Sequence, residues 1–335
     1  MEKYKLHINL PEPFFRHESL KSRFAALEEK YEVRKTSYNT HDEIRPDLAW
    51  PEAVLMWSWP KFGDEEFAMA TNLKFQGQIN TTPTTAKAAL KAGIPMSEAR
   101  HCWSPAVSEM ALTLILAGMR RTSQFHMEMR MGTEPWVNDF PTDIDPLERQ
   151  LTGRKVGIVG FGKIGQGLAE LLAPFKVDLK AYDPFLPEVV ANKFGATLTS
   201  VEDICENSEV VVLCAANSDG AEKVVNSKHI ASLQPGAVIV NVGRSMLVDM
   251  DALLARLQKG DITAMLDVFD VEPLELDSPF RKLKNAYLTP HRAGGIMESI
   301  YRALDALVDD MEAVFEDRPQ KYPVTEAAMP CYGES

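Results

Sequence analysis

Three residues in the C-terminal half of the chain could act together on a small acid. Arg244 follows the apolar run AVIVNVG, Glu272 lies just past TAMLDVF, and His291 follows AYLTP. Each run reads as a buried strand. The three side chains therefore stand at or near strand C-terminal ends, where open α/β sheets bind ligands. A carboxylate beside an imidazole raises its basicity and fixes its tautomer. A guanidinium offers a planar fork to a substrate carboxylate. Together with a nicotinamide, Arg, Glu and His suffice for hydride transfer to a 2-oxo acid. Singly, each has an ordinary alternative, since a lone strand-end histidine is more often a satisfied core or surface group. The joint placement is what singles them out.

A dinucleotide motif precedes them. Gly160-Phe161-Gly162-Lys163-Ile164-Gly165 is a G-x-G-x-x-G that follows the strand KVGIVG and opens the helical stretch KIGQGLAELLAPF. Alone, the motif is weak; the strand–turn–helix context gives it meaning. Gly160 permits the tight turn, Gly162 lets a pyrophosphate approach the backbone, and Gly165 lets helix and strand pack closely. The helix N-terminus then faces phosphate charge. The next strand, LKAYD, ends in Asp183, placed to bind the ribose hydroxyls of NAD and to repel the 2′-phosphate of NADP. The alternative is a packing turn with a surface aspartate, which leaves the ordered series of strand, glycines, helix and acid unexplained.

These residues need a frame. At 335 residues the chain is long enough for about two domains of roughly 150 residues each. Lys and Arg number 36 against 48 Asp and Glu, a net charge of −12 that disfavours nucleic acid or an anionic membrane as partner. No apolar run reaches the ~18 residues of a membrane span. The opening residues lack the apolar core of a signal peptide. Cys102, Cys205, Cys214 and Cys331 form no C-x-x-C pair. The expectation is a soluble, reduced, cytoplasmic protein. The motifs for zinc proteases, P-loops and serine hydrolases are absent from the sequence.

In the first hundred residues, runs at 5–10, 31–38, 53–58 and 73–78 read as strands alternating with helical patterns, the last closed by Gly93. That is a parallel sheet with βαβ connections. A longer helix follows over about 105–121, with Val107, Met110, Ala111, Leu114, Ile115 and Gly118 on one face. Residues 121–150 are polar and Met-rich and read as a connecting arm. From Lys155 the chain becomes a second, doubly wound α/β block, with buried-type strands at 209–216, 237–243, 263–269 and 286–290. After about 295 it turns helical again.

Together the motifs resemble the D-isomer-specific 2-hydroxyacid dehydrogenases over nearly the whole chain. Four segments match in order: the glycine motif with Asp183; Asn241 to Asp249 as Asn-x-x-Arg-x-x-x-x-Asp; Asp267 to Pro273 as Asp-Val-Phe-x-x-Glu-Pro; and Pro290-His291. The family's hinge helix is similar to 105–120, with Val107, Ser108 and Glu109 near its start. The resemblance implies a Rossmann-type NAD-binding domain over 102–295 and a discontinuous flavodoxin-like substrate domain from 1–101 and 296–335. The active site would lie in the cleft between them. It implies a homodimer and a small 2-oxo or 2-hydroxy acid as substrate. Arg244, Glu272 and His291 would be catalytic. Lys163, Ile164, Cys214, Ala216, Val242, Gly243, Asp267 and Gly294 would join the glycines and Asp183 around NAD, with NADH preferred over NADPH. Asp267 would sit by the nicotinamide ring. Trp57, Ser58, Gly77 and Gln78 would meet the substrate with Arg244 and His291, the amides around Gly77 and Gln78 helping to hold its carboxylate.

The chain departs from the family at Ser245-Met246, where the family usually has Gly, and at Ala216, where it has Pro. It also departs at Gln76 to Asn80, where a Gly-rich run ending in Asp is usual. Trp57 and Trp59 admit three readings: walls of a small pocket for glyoxylate or hydroxypyruvate, a stacking surface for an aromatic substrate, or core packing. Two rival functions remain: a dinucleotide-sensing scaffold like the family's corepressor relatives, and a formate or phosphite dehydrogenase. Glu272 argues against formate, because the formate enzymes usually have Gln there.

Overall fold

The computed structural model describes residues 3–217 and 220–331, and side chains in the last helical turn only as far as Met329. The chain divides into two compact units, Met1–Trp103 with Met297–Ser335, and Ser104–Ile296.

The first unit is a five-stranded parallel sheet of β1 (Lys5–Asn9), β2 (Glu32–Thr36), β3 (Ala53–Met56), β4 (Phe75–Gln78) and β5 (Met96–Glu98), in the order β2-β1-β3-β4-β5. Alternation along the strands builds two cores. Leu6, Ile8, Leu55 and Phe75 face helices Glu18–Lys30 and Met297–Phe315. Val54 and Met56 face helix Pro83–Ala92, which contributes Ala86 and Ala89. That helix starts at Thr82, whose hydroxyl accepts the Thr85 amide, and stops at Gly93 with φ 68°. The short β5 escapes the sequence reading because three residues carry too little pattern. It is fastened instead by the tail: buried Asp310 accepts the Ser97 hydroxyl at 2.6 Å and the amides of Lys321 and Tyr322 at 2.7 and 2.9 Å.

The second unit is a seven-stranded parallel sheet. Its strands are β6 (Lys155–Val159), β7 (Asp178–Tyr182), β8 (Ala196–Leu198), β9 (Val210–Leu213), β10 (Val238–Asn241), β11 (Thr263–Leu266) and β12 (Ala286–Leu288). The order β12-β11-β10-β9-β6-β7-β8 reverses direction between β6 and β9, the switch point of a doubly wound fold. Val210, Val211, Val212 and Leu213 are all fully buried, as a strand covered on both faces requires.

Helix Ser104–Arg120 packs on this sheet. Its Gly118 lies so close that a Cβ there would stand 2.8 Å from Val238. The segment Arg100–Arg120 is long and apolar enough, by length and composition, to cross a membrane, which the sequence reading did not expect. Half of its most apolar window is buried inside the protein, and Ala111, Leu114, Ile115 and Gly118 face inward, so the apolar character serves packing. The arm also differs from expectation. Its first part is a helix, Thr122–Met131, entered through Arg121 in the left-handed region at φ 51°. No residue of that helix is buried, so it carries no apolar stripe from which the sequence could betray it.

Candidate active site

The glycine turn leads from β6 into helix Lys163–Leu172. Gly160 has φ 89°, and a Cβ there would fall 2.4 Å from the Ala215 backbone, so only glycine fits. Gly165 is needed for a different reason: its Cβ would meet the Gly160 carbonyl at 2.6 Å. Gly162, by contrast, is exposed, with open space where a Cβ would stand. Lys163 is exposed and Ile164 half-buried in the first turn, and the Ile164 carbonyl accepts the Ser108 hydroxyl at 2.9 Å.

Half-buried Asp183 follows β7. One carboxylate oxygen accepts the Phe161 amide at 2.9 Å and the other the Phe185 amide at 3.0 Å. Each oxygen has two acceptor sites, so capacity remains for hydroxyl donors. An open helix N-terminus beside a bare glycine, with an acceptor-rich acid at the end of the neighbouring strand, fits a dinucleotide's pyrophosphate and ribose. Cys214 and Val242 are buried at the ends of β9 and β10, Gly243 is buried beside Ala215, and Ala216 is exposed. Burial pushes the Cys214 thiol up to about 12, so the one cysteine the sequence placed near a cofactor is an inert thiol. Cys102 and Cys205 are also free and buried, while the Cys331 side chain lies outside the described residues.

Arg244, Glu272 and His291 are exposed at the C-terminal end of the same sheet. His291 Nδ1 lies 2.6 Å from Glu272 Oε2. The other carboxylate oxygen of Glu272 accepts the Phe269 amide at 2.9 Å, fixing the acid from behind. Burial works to raise the Glu272 carboxyl. The bond to His291, the Phe269 amide and the charges of His291 and Arg244 outweigh it and hold the carboxyl below its ordinary value. Arg244 thus belongs to the same electrostatic site. Its own carbonyl accepts Asn241 Nδ2 at 2.9 Å, and its Nη1 donates to the Gly243 carbonyl at 2.8 Å.

Asp267 is fully buried just past β11. It accepts the Thr289 hydroxyl at 2.6 Å and the amides of Arg292 and Ala293 at 2.9 and 2.8 Å. Gly294 is half-buried just beyond. Asn241 and Thr289, which the sequence reading gave no role of their own, share a signal with Asp267. Each is a polar residue ending or following an apolar strand, in VIVN, AMLD and YLT.

The remaining expected residues belong to the first unit. Gly77 and Gln78 are the last residues of β4, flanked by β3 and β5 and fully buried, and the structure does not bring the Gln78 side chain to the surface. β3 stops at Met56, so strand alternation does not govern Trp57 and Trp59. Trp57 is half-buried against the first core, with Phe14, Trp59 and Trp103 at ring distances of 5.4, 6.1 and 6.4 Å. Ser58 is half-buried, and Trp59 is exposed with its indole nitrogen donating to Asn39 at 2.8 Å.

The fold and the glycine turn define an NAD-binding domain of the Rossmann type. Residues 112–293 match the family model of the D-isomer specific 2-hydroxyacid dehydrogenase NAD binding domain. The chain belongs to this family. It is 28% identical to the D-3-phosphoglycerate dehydrogenase of Methanocaldococcus jannaschii over 84% of this chain, but over only 53% of that protein. The chain thus spans about half the length of that relative. It is 26% identical to the hydroxypyruvate reductase of Blautia hydrogenotrophica over 76% of this chain and 80% of that one. The crystal structure of a phosphoglycerate oxidoreductase from Rhizobium etli aligns with a TM-score of 0.79 at 26% identity, covering 95% of this chain and 97% of that one.

Proposed function

We propose that the protein is an NAD-dependent dehydrogenase that interconverts a 2-oxo acid and the D-2-hydroxy acid. The observation that carries the reading is the 2.6 Å contact of His291 Nδ1 with Glu272, beside Arg244 and on the same sheet as the glycine turn. When bound, NAD(H) supplies or takes the hydride at C2 of the substrate. Glu272 engages Nδ1 of His291, which leaves Nε2 to give a proton to the carbonyl oxygen on reduction and to take it back on oxidation. The Glu272 carboxyl is held below its ordinary value, so it faces His291 as a carboxylate. Arg244 holds the substrate carboxylate and polarises the carbonyl.

The substrate is a small 2-oxo acid such as glyoxylate or hydroxypyruvate: Trp57 and Trp59 follow β3 towards the loop that resembles the family's substrate loop, and an indole there would take up space that a bulky side chain needs. NADH is preferred because Asp183 would repel a 2′-phosphate. The cysteines described are free and buried, as suits a reducing cytoplasm. A homodimer is favoured by the arm, where Trp136, Val137 and Phe140 are 65%, 56% and 76% exposed. The test is turnover of a panel of glyoxylate, hydroxypyruvate, pyruvate and bulkier 2-oxo acids with NADH and with NADPH. Activity with NADH on the small acids is expected. Tight NADH binding without turnover of any acid would favour a dinucleotide-sensing scaffold.

A further inference from the structure

His291 has a positive φ of 51°, in the left-handed region that Cβ sterics make costly for a non-glycine residue. Such a residue persists only where its surroundings over-determine it. Here one residue supplies most of that constraint. The carbonyl of Asp267 accepts the His291 amide at 2.9 Å. Its carboxylate accepts the Thr289 hydroxyl on one side of the histidine and the Arg292 and Ala293 amides on the other. Asp267 therefore brackets His291 from residue 289 to residue 293, and it does so fully buried. A buried carboxylate is costly unless its acceptors are filled. Three donors take three of its roughly four acceptor sites, and all three belong to the turn that presents the imidazole.

We infer that Asp267 is a positioning residue that locks the left-handed turn of His291 so that Nδ1 meets Glu272. The inference rests on the proposed role of His291 in proton transfer and gives Asp267 a role in the turn beside the one the resemblance implies at the nicotinamide ring. Only an acceptor-only side chain suits the position. An amide has one acceptor oxygen, and its NH2 would confront a backbone N–H. Asp267→Asn keeps the shape and removes that match. The turn then loosens, the imidazole leaves Glu272, and the contribution of that bond to the low Glu272 carboxyl value is lost.

Two measurements on the full chain test this. The first is kcat at saturating NADH together with the Kd of NADH. Asp267→Asn should lower kcat about 10²-fold and change the NADH Kd less than threefold. The second is titration of Glu272 by NMR of the protein labelled at its glutamate carboxyl carbons, with the signal assigned by its loss in Glu272→Gln. In Asp267→Asn the Glu272 carboxyl should titrate higher than in the wild type. Should Asp267→Asn fail to fold, Thr289→Val removes one donor and should shift both readouts in the same direction by less, while Thr289→Ser, which keeps the hydroxyl, should restore them. A Glu272 titration that is unchanged in Asp267→Asn, or in Thr289→Val, overturns the inference. So does a loss confined to NADH affinity. The titration does not depend on turnover, so an inactive wild type would overturn the proposed function and leave this test intact.

Discussion

Each of the two sheets has, at or just past the end of a strand, a buried polar side chain that grips the loops beyond it, and the two grips differ in kind. In the first sheet the residue is Asn9, 2% exposed at the end of β1. Its amide nitrogen donates to the carbonyls of Tyr38 and Trp59, both at 3.1 Å, and its oxygen accepts the Thr36 hydroxyl and the Tyr38 amide, both at 2.8 Å. In the second sheet it is Asp267, which only accepts, and which holds a single turn around His291. An amide has donors and acceptors to join two loops without placing a charge. A carboxylate only accepts, and this one joins two amides and a hydroxyl of the turn that presents His291. The amide grip serves a loop of aromatic residues, and the carboxylate grip serves the turn that presents His291.

The comparison predicts that damage in the second sheet is kinetic and damage in the first is selective or thermodynamic. The largest effect belongs to His291. His291→Ala should lower turnover by about 10²–10⁴-fold, the usual loss for a general acid, with thermal stability nearly unchanged because the side chain is exposed. A smaller loss measured in steady-state reduction would move proton transfer to another group. Arg244→Lys comes next. A lysine lacks the bidentate fork, so KM for the 2-oxo acid should rise and turnover fall, while NADH affinity, read by fluorescence titration, stays within a few-fold. If NADH binding fails instead, Arg244 belongs to the cofactor.

In the first sheet, Trp57→Ala should raise kcat/KM for bulky 2-oxo acids relative to glyoxylate, by about tenfold for the loss of one apolar wall. The opposite shift would favour a stacking surface. An unchanged ratio with lower stability would make the tryptophan a core residue, as its packing against Phe14 and Trp103 allows.

The smallest effect on activity and the clearest on stability concerns His7. It is fully buried in β1, and Thr36 spends its hydroxyl proton on Asn9, so His7 Nε2 must be the donor to Thr36 at 2.7 Å. Burial lowers His7 from 6.5 to about 4; Asp47 opposes the shift and Arg34 adds to it. The unfolded chain therefore binds a proton at higher pH than the folded one does. Stability is full above pH 6.5 and declines as the pH falls towards about 4, by up to about 3 kcal/mol. His7→Gln should flatten that slope in denaturant unfolding at pH 7, 5.5 and 4.5. A slope that survives the substitution would assign the acid sensitivity elsewhere.

Much of this was legible from residue order. Apolar runs such as VVVL and VIVN, glycines at 160, 162 and 165, and an acid closing the next strand specify a doubly wound sheet with a dinucleotide turn. The reason is that strand burial, a positive φ and a close backbone approach are local demands, each met by few residue types. Arg244, Glu272 and His291 could be picked out for the same reason, since each follows a recognisable strand. Tertiary structure alone decided the rest. The sequence cannot say that Asp267 faces residues 289 to 293, because those bonds cross 22 to 26 positions of chain. Nor can it say that β3 stops one residue short of Trp57, or that Gln78 turns inward, because neighbouring strands settle both. Composition and period record what a segment can bury. Which buried polar atom meets which donor is fixed only when the strands lie side by side.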